Sequence, residues 1–487
     1  MKRLFPSATL LLLLAACGGG AGQRKDDAAV VVSVIGGPAA PGDPAAGPLD
    51  PSKRVLLGAT AQGLVRFDAA GGIEPGLAER WIVIDDGRSY IFRLREAQWP
   101  DGEQVTAGEV VRVLRRAIGA RSRNALAPFL AAIDEIVEMT PQVIEVRLKR
   151  PRPDLLKLFA QPELAVFRVP AFDGSGPFRA VRQGDALLLR PARDPAATDE
   201  DMPALKPQQT LLLRGERAAL ALARFRAGKS DLVTGGSFAD WPLVGVAGVA
   251  PANIRIDPAL GLFGLAVARR EGFLAEAGNR AALAMAIDRA ALVQSIAPDW
   301  VPIETLLPAQ LDSASAPAAP AWAALPLAAR RDNARAAVTI WRRLHPGPLT
   351  IRIALPPGPG STLVWAHVAE GLLAIGATPE RVGPDDDAEL VLIDAVAPYD
   401  SGRWFVATAC RLCSAEVETL IEAARDAPDL DSRAHRIAEA EAALVADAAY
   451  IPIAQPFRWS IVALRLQAWQ GNARAWHPLN HLRNDTE

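Results

Sequence analysis

Apolar and polar positions along this chain alternate between two periods. Val30-Val31-Val32-Ser33-Val34-Ile35 is a short, nearly continuous apolar run, the pattern of a buried strand. Residues 80–95 predict a hairpin: Trp81-Ile82-Val83-Ile84, a turn at Asp86-Gly87, then Tyr90, Phe92 and Leu94 alternating with polar residues. Residues 143–148 alternate in the same way. After Thr106 the period becomes helical. Thr106 and Glu109 have capping-box spacing, and Val110, Val113, Leu114 and Ile118 share one face. Further helices are expected over 217–227, ended by Gly228, and over 279–296. Others are expected over 362–375, ended by Gly376, and over 415–427 and 432–446. Strands are expected at 231–233, at 389–394 and from Ile451-Pro452-Ile453. The Pro/Ala-rich stretches 317–326 and 356–359 predict surface loops. The alternation of helix and strand, with no internal repeat, predicts a large mixed α/β architecture.

The N-terminus follows a different pattern. Lys2 and Arg3 precede an apolar run over 10–14 that ends in Leu14-Ala15-Ala16-Cys17-Gly18. This run is far below the roughly 20 residues needed to span a bilayer, so residues 1–16 read as a secretion signal. The small residues before the cysteine resemble the lipobox of bacterial lipoproteins, which implies acylation of Cys17. Residues 17–29, which include Gly18-Gly19-Gly20-Ala21-Gly22, would then be a flexible tether. Two or more acyl chains make a stable anchor. The expected location is the periplasm or cell envelope, lipid-anchored to a membrane.

Composition narrows the function. The 487 residues amount to about three domains' worth of chain. A hydrophobic fraction of 50% with 22% charged residues argues against disorder. The 53 basic and 55 acidic residues leave no basic footprint for nucleic acid. No G-x-S-x-G, H-E-x-x-H or G-x-x-x-x-G-K motif occurs, so no enzyme is expected, and no cofactor. His477 and His481 stand four apart with Pro478 between them, which does not make a metal pair, and no metal site is expected. Glu418 and Glu422 read as a solvated helix face. Cys410 and Cys413 form a C-x-x-C. In an oxidising compartment a small local disulfide is the expectation, with a redox or metal role and free thiols as alternatives.

Nine segments, taken in order, resemble the family 5 extracellular solute-binding proteins, receptors of peptide, nickel and related ABC importers. Leu49-Asp50-Pro51 resembles "LDP", Gly63 to Asp68 "GLv.fd", and Ile73 to Trp81 "i.P.LAesW". Asp85 to Arg95 resembles "sdDGktytF.LR", and Asp101-Gly102 with Val105-Thr106-Ala107 resembles "DG.pvTA.Dv". Gly174 to Phe178 resembles "GtGPy", and Ala227 to Asp231 "sGeiD". Arg280 to Arg289 resembles "R.Al..AIDR", and Ala449 to Ile453 "apyiPl". The resemblance implies a two-lobed periplasmic-binding-protein-like fold (type II, cluster C) with an extra subdomain inserted in the first lobe. Projected here, lobe I takes 30–62, 166–257 and 456–487, the inserted subdomain 63–165, and lobe II 258–455.

It also implies a monomer that closes around a peptide or peptide-like solute and delivers it to ABC permease subunits in the inner membrane. In peptide-binding relatives an aspartate in a "DY.dP" segment pairs the peptide's α-ammonium. Here Ala397-Pro398-Tyr399-Asp400-Ser401 is the matching stretch, and Pro398 stands where that aspartate is expected, with Asp400 or Asp394 as substitutes. The ligand-contact residues implied are Leu64, Gly236, Ser237, Tyr399, Asp400, Arg403 and Trp404. Pro398, together with the altered segment Leu265 to Ala268, also suggests a second reading, a sensor or envelope interaction protein without transport. A periplasmic hydrolase is the third.

Overall fold

The protein is described here from a computed structural model covering residues 26–192 and 205–483. The expected signal 1–16, Cys17 and most of the tether lie outside the described residues. A seven-stranded sheet forms one lobe. Its strands run in the order Phe178–Gln183, Ala186–Pro191, Leu211–Glu216, Val30–Ile35, Leu232–Ser237, Arg458–Val462 and Ile254–Ile256. Val30–Ile35 is central and parallel to both neighbours, and all six of its residues are buried. A strand covered on both faces needs this continuous apolar run. Its one hydroxyl, on Ser33, donates to Glu216 at 2.6 Å.

The second lobe holds a five-stranded sheet in the order Thr378–Val382, Thr350–Ala354, Leu390–Val396, Gly261–Val267 and Tyr450–Ala454. The chain passes from the first sheet to the second between Ile256 and Gly261, and returns between Ala454 and Arg458. The two short crossings lie side by side: the Gly261 amide donates to Gln455 Oε1 (2.9 Å), and the Asp257 amide donates to the Arg458 carbonyl (3.0 Å).

A third unit shares a buried core with residues of the second lobe, among them Leu262, Trp404 and Tyr450. Ala78–Ile84, Ser89–Leu94, Val143–Leu148 and Ile133–Thr140 form an antiparallel sheet in that order. The helix Ala107–Ile118 packs on it through Val110, Val111 and Leu114. Its capping box is present: the Glu109 amide donates to Thr106 Oγ1 (3.4 Å), and the Thr106 amide donates to Glu109 Oε2 (3.2 Å). The hairpin reverses through Asp85, Asp86 and Gly87, all at positive φ. Short polar side chains and glycine tolerate that region.

Three elements differ from the sequence pattern. The helix expected over 279–296 is two helices, Ala277–Ala286 and Arg289–Ile296. Asp288 starts the second by accepting the Ala291 amide at 3.0 Å. The two arginines of the "R.Al..AIDR" segment therefore sit on different helices. Both are buried and donate to backbone: Arg280 to Leu274, Ala275 and Asp447, Arg289 to Ala284 and Pro452. The helix expected over 362–375 is Pro359–Ala374, opened by a proline that suits a first helical turn. The strand expected at 231–233 runs on through Gly235-Gly236 as Leu232–Ser237, with a register shift between Val233 and Gly236. Among the described residues, no helix is long and apolar enough to cross a membrane.

Candidate functional site

A cavity of about 430 Å³ opens between the lobes and the inserted unit. That is within the range of small-molecule sites. The first lobe contributes Val34, Thr234, Gly235 and Arg458, together with Arg474, Trp476 and His477 from the segment that follows the last strand. The inserted unit contributes Leu126, Phe129, Gln161 and Glu163, and the second lobe Val396, Pro398 and Trp404. Three aromatic residues, Phe129, Trp404 and Trp476, belong to this lining.

The charged groups of the wall are tied into the protein. Arg458 Nη1 donates to both carboxylate oxygens of Asp394 (2.8 and 3.0 Å), joining the last strand of one lobe to the central strand of the other. Burial pushes the Asp394 carboxyl up, against the pull of Arg458. Arg474 pairs with Asp400 and donates to the Ala397 carbonyl. Burial brings its pKa down to about 10, so it remains a cation at neutral pH. Arg54 donates to Glu163 Oε1 (2.5 Å) and Gln161 Oε1 (2.6 Å), and its guanidinium lies 4.9 Å from the Trp476 ring. Gln161 in turn donates to the Pro398 carbonyl at 2.7 Å. His477 Nε2 stands 3.1 Å from Asp257 Oδ2.

The residues expected at the ligand divide into three groups. Trp404 lines the cavity, and Gly235, next to the expected Gly236, does so too. Tyr399 and Arg403 lie behind the wall. The Tyr399 ring meets Phe129 edge-on at 5.8 Å, and burial pushes its phenol up to about 12. Arg403 is 8% exposed, and burial lowers its pKa. The other four have different roles. Leu64 is fully buried in the core of the inserted unit, in the same cluster as Val65 and Leu77. Gly236 faces the Trp459 indole, which a Cβ would overlap. Ser237 serves local structure: its hydroxyl accepts the Ala239 amide (3.3 Å), and its carbonyl accepts Trp459 Nε1 (2.8 Å). Asp400 is occupied by Lys157 and Arg474.

Sequence reasoning missed Arg458, Arg474, Trp476 and Phe129. Arg474 and Trp476 sit in an irregular stretch with no periodicity, where the pairing of a cation and an indole two residues apart was the available signal. His477 and His481 do not converge: the first bonds Asp257 and the second Glu74 (2.8 Å). No metal-binding group of side chains occurs among the described residues. Cys410 and Cys413 are joined by a disulfide just after the helix Gly402–Ala409.

Two sheets joined by paired crossings, with a cavity between them, define a two-lobed periplasmic binding protein. Residues 72–339 match the model of the bacterial extracellular solute-binding proteins, family 5 (middle region), and the chain belongs to that family, one of binding proteins and not of enzymes. The chain is 28% identical over 290 residues to the probable deoxycholate-binding periplasmic protein YgiS of Escherichia coli K12, covering 52% of each chain. It is 24% identical over 271 residues to the periplasmic oligopeptide-binding protein OppA of Salmonella typhimurium LT2, covering 48% of each. The chain thus spans about half the length of these curated relatives. The fold agrees with crystal structures over nearly the whole chain. Haemophilus influenzae OppA in complex with RPPGFSPFR gives a TM-score of 0.77 at 17% identity, covering 94% of this chain and 98% of that one. The murein tripeptide binding protein MppA of Escherichia coli gives 0.77 at 18%, covering 92% and 96%.

Proposed function

We propose that this protein is the solute-binding lipoprotein of an ABC importer. It captures a peptide or peptide-like solute between its lobes and hands it to the permease subunits. The observation that carries this reading is the interlobe cavity, walled from three separate parts of the chain and lined with three aromatic rings. Relatives named for oligopeptides, a murein tripeptide and deoxycholate support a solute with an extended apolar body. In this reading the lobes meet at the crossings near 257–260 and 455–457, and Cys17 carries the lipid anchor. Purifying the protein, denaturing it and identifying the released compounds by mass spectrometry tests the ligand. Peptides are expected; a single non-peptidic compound would remove the peptide part and leave the receptor part standing. For the anchor, Cys17→Ser should release the protein from the membrane fraction, and unchanged retention would refute lipidation.

A further inference from the structure

We infer that the solute presents a carboxylate and carries no free ammonium. This rests on the receptor reading above and names the chemical class of its ligand. Among the described residues, the cavity is lined by three arginines, Arg54, Arg458 and Arg474, by His477, which Asp257 holds, and by one acid, Glu163, which Arg54 holds. The acids that balance the other two arginines, Asp394 and Asp400, are not part of the wall. Arg458 and Arg474 thus belong to the lining, and the acids they pair with do not.

The acceptors of the stretch 397–400 beside the cavity already have donors. Position 398 is proline. The Pro398 carbonyl is taken by Gln161, and the Ala397 carbonyl by Arg474. Asp400 is neutralised by Lys157 and Arg474. A further positive charge brought to this stretch would lose its water, meet two cations of the same sign and find no carboxylate that is not already paired, which is costly in a cleft. A carboxylate would instead meet arginine N–H groups, which bind carboxylates through planar donor pairs. The solute's remaining surface would lie against Phe129, Trp404 and Trp476. Two sources supply this chemistry: a peptide whose N-terminus is blocked, and a non-peptide apolar acid.

The test is retention on the immobilised full-length protein, read by mass spectrometry. One mixture holds N-acetylated dipeptide acids, a second the same dipeptides with free amines, and a third the acetylated dipeptides as C-terminal amides. A fourth sample is sodium deoxycholate below its micelle-forming concentration. The acetylated acids or deoxycholate should be retained about tenfold above the free-amine and amide sets, the effect of roughly one charged contact. Which of the two is retained separates the peptide from the non-peptide source. Equal or stronger retention of the free amines, or equal retention of the amides, overturns the inference and leaves the receptor standing. Retention of none of the four overturns both. The paired variant Asp394→Leu with Arg458→Met removes one wall cation without stranding its partner. It should lower acid retention about tenfold while leaving thermal unfolding cooperative; undiminished retention would overturn the role of Arg458.

Discussion

Buried arginines do much of the structural work in this chain, and their partners show which single changes matter. Arg280 is 1% exposed and pairs with Asp447 at 2.7 Å, and the same carboxylate takes two bonds from Arg270 (2.6 and 2.7 Å). Arg280 also donates to the Asp447 carbonyl at 2.8 Å, tying the helix Ala277–Ala286 to the end of the helix Leu430–Asp447. Removing the carboxylate leaves the buried Arg280 charge without its counter-ion, though its backbone acceptors remain, so Asp447→Ala should cost about 3 kcal/mol in urea unfolding. The dependence on pH follows. Burial raises the Asp447 pKa, but Arg270 and Arg280 outweigh it and the net shift is downward from 3.8. A carboxylate whose folded pKa is depressed contributes fully above its unfolded value and loses the contribution as pH falls through the folded one. The stability gap between wild type and Asp447→Asn should therefore hold from pH 7 to about pH 5 and shrink below about pH 4. A gap that does not change between pH 6 and pH 3 would show that the ion pair contributes nothing.

At the scale of elements, local signals were legible and long-range ones were not. The capping box of the helix Ala107–Ile118 could be read from Thr106 and Glu109 because both halves of it lie within four residues. Its hydroxyl and carboxylate satisfy amides that the helix itself leaves unpaired. Thr106→Ala should cost about 1 kcal/mol, seen as a lower urea midpoint, and Thr106→Ser should restore most of it. No loss in the alanine variant would mean that water replaces the cap. The central strand Val30–Ile35 was equally legible, since burial on both faces demands a continuous apolar run. The break at Asp288 was not. Apolar spacing continues smoothly from Ala286 to Leu292, while the backbone is extended at Ile287 and Asp288, where the Asp288 side chain turns to accept the Ala291 amide. The candidate site was legible only in part for the same reason. Trp404 follows directly on a recognisable segment, whereas Arg458 meets Asp394 across 64 residues of chain, and no local pattern records that meeting. Leu64 shows the converse error: a position next to a recognised segment is not thereby in the cleft, and here the side chain is core.

At the scale of the whole molecule, the lobes share one apolar core around the crossings. Phe238 of the first lobe meets Phe263 of the second at 4.8 Å, and Phe457 in the return crossing meets Trp241 at 5.0 Å and Trp300 at 5.3 Å. Beside this core the helix Pro359–Ala374 docks its first turn on the backbone of the other lobe, with the Gly360 amide donating to the Ala239 carbonyl at 2.8 Å. A Cβ at position 360 would overlap the Phe238 carbonyl oxygen. Helix propensity favours alanine over glycine by up to about 1 kcal/mol, so this glycine works against its own helix and in favour of the approach of the lobes. Backbone on the far side cannot swing away as a side chain would. Gly360→Ala should therefore leave the secondary structure of each lobe unchanged and open the angle between them. The radius of gyration in solution scattering should rise, and solute retention should fall by about tenfold, roughly 1.4 kcal/mol of closure. If scattering and retention both match wild type, the contact yields locally and the lobes do not depend on it. If the radius rises while retention holds, the solute binds to one lobe alone, and enclosure between two lobes is the part of the proposed mechanism that fails.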